Sequence, residues 1–251
     1  MKNVLITAGS RGIGFAIAKE LAMENFNLIL ISKNINNLKR ARKELIKINK
    51  KIQCLIFPCD LSDLDKAKEV FKKIKKQHSV DILINNYGGL YKIKLKSILN
   101  TKNLINLINS NIVCAYTAIE TFVDQMKKSK WGRVINISSA TNQTFDTQIN
   151  YHLVKSAQVI MIKNLSTKIE YIKNNITFNS ISPGAILSDT SVWNKLKRKN
   201  NTVFKKIIKK SFPMGIGKTS DVSNLVLFLC SNKSNYINGS NIVLDGGKSN
   251  F

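Results

Sequence analysis

Tyr151 and Lys155 stand four residues apart, a spacing that on a helix puts a phenol and an ammonium on one face. That pair suits acid–base chemistry. A free phenol, with a pKa near 10, ionises too little at neutral pH to act as a base. A neighbouring cation favours the phenolate and draws the pKa toward the working range. At the other end of the chain runs Thr7-Ala8-Gly9-Ser10-Arg11-Gly12-Ile13-Gly14. Glycines in such a turn let the chain bend tightly, bring backbone close to a pyrophosphate and pack a helix against a strand. The helix that follows offers free N–H groups and a partial positive charge to an anion. Either motif alone is common, so position in the fold decides what each means.

The elements that would position them follow from periodicity. Strand patterns cover Val4–Thr7, Asn27–Ile31, Gln53–Phe57, Asp81–Ile84, Arg133–Ile137, Thr177–Ile181 and Asn241–Leu244. Helical patterns cover Ile13–Glu24, Asn37–Ile48, about Leu104–Lys127, Tyr151–Ile172 and Asp221–Leu229. Ser62 is the expected N-cap of a further helix to about Gln77, with Asp65 at its third position. Strands alternating with helices predict an α/β fold: one Rossmann-type, doubly wound parallel sheet of about seven strands with helices on both faces. Ligands of such sheets bind beyond the carboxyl ends of the strands. No break in composition divides residues 1–251, and a single domain is expected.

Composition narrows the function. No apolar stretch is long enough to span a bilayer, and the first residues lack the long core of a signal peptide. Cys54, Cys59, Cys114 and Cys230 have neither CxxC spacing nor nearby histidines, so no metal site is expected, and buried reduced thiols in a cytoplasmic protein are the preferred reading. Forty Lys and Arg against 15 Asp and Glu give a net charge of +25. Attraction to an acidic partner and the codon bias of an AT-rich genome both account for this, and codon bias is preferred. No basic–aromatic stripe points to nucleic acid.

The glycine turn, with Ala8 in second place, resembles that of the short-chain dehydrogenase/reductase family, and the resemblance runs over almost the whole chain. Cys59-Asp60-Leu61-Ser62 resembles the family's aspartate segment after the third strand. Asn85-Asn86-Tyr87-Gly88 resembles the NNAG segment, with Tyr87 in place of a small residue. Ile137-Ser138-Ser139-Ala140 precedes Tyr151, and Ser182-Pro183-Gly184-Ala185-Ile186 and Asp245-Gly246-Gly247 resemble later motifs. The resemblance implies four catalytic residues, Asn111, Ser139, Tyr151 and Lys155. Ser139 would hydrogen-bond a substrate carbonyl, Tyr151 would supply the proton, and Asn111 would support a water leading to Lys155. A one-residue shift of alignment would exchange Ser138 for Ser139.

For the cofactor, the resemblance implies binding by Gly9, Ser10, Arg11, Gly12, Ile13, Gly14, Asp60, Leu61, Asn86 and Gly88. Tyr151, Lys155, Pro183, Gly184, Ile186 and Ser188 would complete that set, Ser188 standing for the family's threonine. The second strand closes on Leu30-Ile31-Ser32-Lys33 without the carboxylate that would receive the ribose hydroxyls of NAD. Ser32, Lys33 and Arg11 can meet a 2′-phosphate instead, which favours NADP(H) over NAD(H). The expected activity is hydride transfer between nicotinamide and a carbonyl or secondary alcohol.

Substrate choice is expected from residues 188–217. There Val203, Phe204, Ile207 and Ile208 share one helical face and Lys205, Lys206, Lys209 and Lys210 the other, a lid with its apolar side over the pocket. Lys130 and Lys173 fall near docking positions of the family's acyl-carrier-protein reductases. The specific expectation is therefore reduction of a 3-oxoacyl thioester of acyl carrier protein or CoA. The alternatives are another small ketone, sugar or alcohol, or a scaffold that binds dinucleotide without turnover. The family's habit implies a homotetramer or homodimer through the long helices. His78 and His152 carry no assigned role.

Overall fold

The computed structural model describes residues 1–89, 99–143 and 148–249. The chain runs β1 (Asn3–Thr7), α1 (Gly12–Met23), β2 (Asn27–Ser32), α2 (Ile35–Ile48), β3 (Cys54–Pro58), α3 (Leu64–Gln77) and β4 (Ile82–Asn85). It continues through α4 (Thr101–Ile108), a π-helical turn (Asn109–Val113), α5 (Cys114–Lys128), β5 (Gly132–Ile137), α6 (Ile149–Ser166), α7 (Ile169–Ile172) and β6 (Ile176–Pro183). Then come β7 (Ile186–Leu187), α8 (Val192–Lys199), α9 (Asn201–Ser211), β8 (Gly217–Lys218), α10 (Thr219–Leu229) and β9 (Asn241–Leu244).

Seven of these strands form one parallel sheet in the order β3-β2-β1-β4-β5-β6-β9, as the alternation of elements predicts. Along β1, Val4 and Ile6 face one apolar cluster with α1, α2 and α10, while Leu5 faces another with α3, α5 and α6. Both faces are covered, which is why the central residues of β1, β2 and β4 read as apolar runs. The order reverses between β1 and β4, opening a crevice at their carboxyl ends.

Several boundaries differ from expectation. Asp63, not Ser62, caps α3, its carboxylate accepting from the Lys66 N–H at 3.2 Å, while the Ser62 hydroxyl turns back to Asp60 at 2.7 Å. The helix expected from Leu104 starts a turn earlier because Asn100 accepts from the Asn103 N–H. It is also interrupted by the π-turn, where the Cys114 N–H bonds the Asn109 carbonyl five residues back. The expected Tyr151–Ile172 helix divides into α6 and α7, where the Ser166 and Thr167 hydroxyls donate to the carbonyls of Lys163 and Asn164.

Candidate active site

A cleft of about 470 Å³ opens over the carboxyl ends of β1, β4, β5 and β6. Its floor at one end is the glycine turn. Thr7 holds that turn to the neighbouring loop: its hydroxyl accepts from the N–H groups of Asn86 and Tyr87, both at 2.9 Å, and donates to the Ile84 carbonyl at 3.3 Å. Asn86 answers by donating to the carbonyls of Thr7 and Ala8 at 3.0 and 3.3 Å. Sequence reasoning used Thr7 only as a letter of the motif.

Gly12 adopts φ +58°, which disfavours any side chain. A Cβ on Gly14 would stand 2.5 Å from both the Ala8 carbonyl oxygen and the Asn86 amide nitrogen. Gly9 and Gly14 thus pack beneath the cleft, while Ser10, Arg11, Gly12 and Ile13 line it. Bare backbone at the start of α1 beside a cleft fits a pyrophosphate.

Ser32, at the end of β2, lines the same end and accepts a 2.8 Å hydrogen bond from Ser10. Lys33 and Asp60 lie farther out and pair with each other at 2.5 Å. Lys33, with the Ser62 groups, holds the Asp60 carboxyl below its ordinary range. The Leu61 side chain is buried in the cluster under α3 and α5, so only its backbone is available to a ligand.

The catalytic candidates meet on the wall opposite. Ser139, Tyr151 and Lys155 all line the cleft. Ser138 commits its hydroxyl to the Lys155 carbonyl at 3.0 Å, whereas Ser139 hydrogen-bonds the Tyr151 phenol. The geometry therefore favours Ser139 as the group that meets a substrate.

Lys155 is 3% exposed, its ammonium 3.3 Å from the Ile137 carbonyl and 5.7 Å from the Tyr151 ring centre. Burial draws its pKa down to about 7. Burial also raises the Tyr151 pKa, against a smaller opposing pull from Ser139. The direction is opposite to the lowering expected from a neighbouring cation, because burial costs the phenolate its hydration.

Asn111 sits in the π-turn, fully buried and behind the cleft rather than on its surface. Its side-chain oxygen accepts from the Gly89 N–H at 3.0 Å, and its amide donates to the Leu107 carbonyl and the Ser110 hydroxyl. Gly88, which lines the cleft, lies directly over it: a Cβ there would be 2.5 Å from the Asn111 oxygen and 3.4 Å from the Lys155 nitrogen.

Pro183, Gly184, Ile186 and Ser188 line the far rim. Past them, Thr190, Ser191, Val192 and Trp193 also line the cleft, and sequence reasoning did not single these out. They belong to the start of α8, so α8 and not α9 borders the cleft. Phe204 is the buried member of the expected lid face, and Trp193 packs edge-on against Phe212 at 5.2 Å. The Asp189 carboxylate accepts from the Gly12 N–H at 3.1 Å, lying across the glycine turn. Tyr87 is absent from the cleft lining and packs toward the cluster of α3 and α5, which clears the cleft of its ring.

A family model described as enoyl-(acyl carrier protein) reductase matches residues 7–249. The 3-oxoacyl-[acyl-carrier-protein] reductase FabG of Buchnera aphidicola (subsp. Schizaphis graminum) is 32% identical over 248 residues, covering 98% of this chain and 96% of that protein. The NADPH-dependent reductase BacG of Bacillus subtilis is 28% identical, with coverage of 98% and 97%. Among solved structures, YwfH, described as an NADPH-dependent reductase involved in bacilysin biosynthesis, superposes with a TM-score of 0.89 at 27% identity, covering 98% of each chain. A glycine turn, a buried lysine beside a tyrosine, a seven-stranded parallel sheet and a match across nearly the whole length lead to one assignment: this chain belongs to the short-chain dehydrogenase/reductase family of oxidoreductases.

Proposed function

We propose that this chain is an NADPH-dependent reductase that converts a carbonyl to a secondary alcohol, with 3-oxoacyl thioesters as its substrate class. The observation that carries this reading is the meeting of Ser139, Tyr151 and Lys155 on one wall of a cleft that ends in the glycine turn. The relatives described as 3-oxoacyl-[acyl-carrier-protein] and NADPH-dependent reductases support it.

The residues fit a dinucleotide. The turn at Ser10–Ile13 would take the pyrophosphate, with Gly9 and Gly14 allowing the backbone its close approach. Ser32, Lys33 and Arg11 would take the 2′-phosphate, Asp60, Leu61 and Asn86 would flank the adenosine half, and Gly88, beside Lys155, would border the nicotinamide half. Lys155 would hold the nicotinamide ribose, and Pro183, Gly184, Ile186 and Ser188 the carboxamide end. When bound, NADPH supplies the hydride.

The rest is work for this chain's own groups. The Ser139 hydroxyl donates to the carbonyl oxygen and stabilises the negative charge that grows there. The Tyr151 phenol gives its proton to the same oxygen; its raised pKa keeps that proton in place at neutral pH, as reduction requires. The Lys155 ammonium then favours the phenolate left behind.

Asp189 must leave the Gly12 N–H before a phosphate binds there. A carboxylate at a helix start contributes about 0.3–1 kcal/mol, so Asp189→Ala is expected to tighten NADPH binding about two- to fivefold. Quenching of protein fluorescence by NADPH would measure it, and unchanged or weaker binding would refute the competition.

A homo-oligomer built on α5 and α6 is part of the same reading, supported by exposed Tyr116, Leu153 and Ile160 on those helices. The four free, buried cysteines suit a reducing, cytoplasmic setting. No helix among the described residues is long and apolar enough to cross a membrane. Lys130 and Lys173 are exposed but precede β5 and β6, at the amino-terminal ends of those strands, opposite the end that carries the cleft.

The substrate class is tested by comparing kcat/KM with NADPH for acetoacetyl-CoA, a simple cyclic ketone and a ketose. The thioester is expected to exceed both by about tenfold or more, the scale of a few lost contacts. A preference for either other compound would overturn the thioester reading and leave the reductase reading standing.

A further inference from the structure

Gln158 lies one turn beyond Lys155 on α6 and is fully buried. Its side-chain oxygen accepts from the Lys155 ammonium at 2.9 Å, and its amide nitrogen donates to the Asn111 carbonyl at 2.5 Å. Only this orientation of the amide serves both neighbours. Turned over, it would set N–H groups against an ammonium and an oxygen against a carbonyl. The π-turn is what presents that carbonyl, since it breaks the regular helical ladder at Asn109–Val113. One chain of bonds thus runs from Gly89 through Asn111 and Gln158 to Lys155 and the Ile137 carbonyl.

We propose that Gln158 is a positioning residue for Lys155, its amide spanning the gap between the ammonium and the Asn111 carbonyl that the family resemblance gives to a water. The inference rests on the proposed role of Lys155 in the reductase. The amide fixes the ammonium at one point of the cleft and ties it to the loop of Gly88 and Gly89. It also favours the charged form of a lysine that no carboxylate pairs with among the described residues. The groups facing the ammonium are the Ile137 carbonyl from β5, Gln158 from α6, Gly88 from the loop after β4 and the Tyr151 ring. Of these only Tyr151 titrates, and its raised pKa leaves the lysine to set the alkaline limb.

Two variants of the full-length protein test this, read as kcat/KM against pH with NADPH. Gln158→Met keeps the length and removes the acceptor from the ammonium. It is expected to lower kcat about tenfold or more and to move the alkaline limb down by about one pH unit, the scale of a hydrogen bond to a charge. Gln158→Glu places a carboxylate there and is expected to move the limb upward. Opposite shifts from one position, with thermal midpoints showing both variants folded, support the inference. Wild-type limbs in both folded variants, or shifts in one direction, overturn it. A variant that unfolds is replaced by Gln158→Asn, which withdraws the acceptor and must lower the limb. A wild-type protein without NADPH turnover would overturn the reductase reading and this inference with it, whereas an active wild type with unmoved variants overturns this inference alone.

Discussion

Tyr151→Phe is expected to lower kcat by about a hundred- to ten-thousandfold, the range a positioned general acid supplies. The phenyl ring keeps the half-buried packing of the tyrosine, so folding and the cleft walls should survive. What disappears is the phenolic proton held beside Ser139. Lys155 cannot replace it: its ammonium is turned to the Ile137 carbonyl and Gln158, not to the space in front of Ser139. Loss in kcat with little change in KM or in NADPH affinity is the signature of an interaction made only in the transition state. Steady-state rates beside a fluorescence titration would check both halves. A variant that retains kcat within about threefold would mean that another donor serves the carbonyl.

Ser139→Ala is expected to cost about a hundred- to thousandfold in kcat, as the loss of one donor to a developing oxyanion does. The comparison that gives this force is Ser138→Ala. Ser138 spends its hydroxyl on the Lys155 carbonyl, so its removal should loosen the junction of β5 with α6 and cost about 0.5–1.5 kcal/mol of stability, with kcat changing far less. Ser139 also accepts a 3.3 Å bond from the Thr141 N–H, a contact that water can replace. Rates and thermal unfolding on the two single variants separate the roles. If Ser138→Ala is the slower enzyme, the alignment is off by one residue and Ser138 is the group facing substrate.

The sheet was legible in the sequence because its strands are short, mostly apolar and separated by segments of helical pattern. Alternation of that kind leaves little choice of topology. The glycine turn and the Tyr151–Lys155 spacing were legible for a related reason: each is a local constraint, written within eight residues of chain. What stayed hidden was set by contacts between distant residues. Gln158 looked like one amide among many until the fold carried Asn111 to it across 47 positions. Asp189 gave no sign that its carboxylate would lie on Gly12, 177 residues away. The π-turn left no trace in apolar spacing, and the cap at Asp63 turned on which of two adjacent polar residues Asp60 recruited. The direction of Tyr87 likewise depends on room under α3 and α5 that periodicity does not report. The phenol's raised pKa follows from burial, a property of the assembled cleft.

Reduction of a carbonyl by NADPH in this cleft can be followed as absorbance loss of NADPH, with NADH in parallel, on acetoacetyl-CoA. The expected result is oxidation of NADPH with a kcat/KM about tenfold or more above that for NADH, the scale of charge-assisted bonds from Ser32, Lys33 and Arg11 to a 2′-phosphate. A preference for NADH would contradict the reading of β2's end, and consumption of neither cofactor on the thioester or on simple ketones would contradict carbonyl reduction in this cleft.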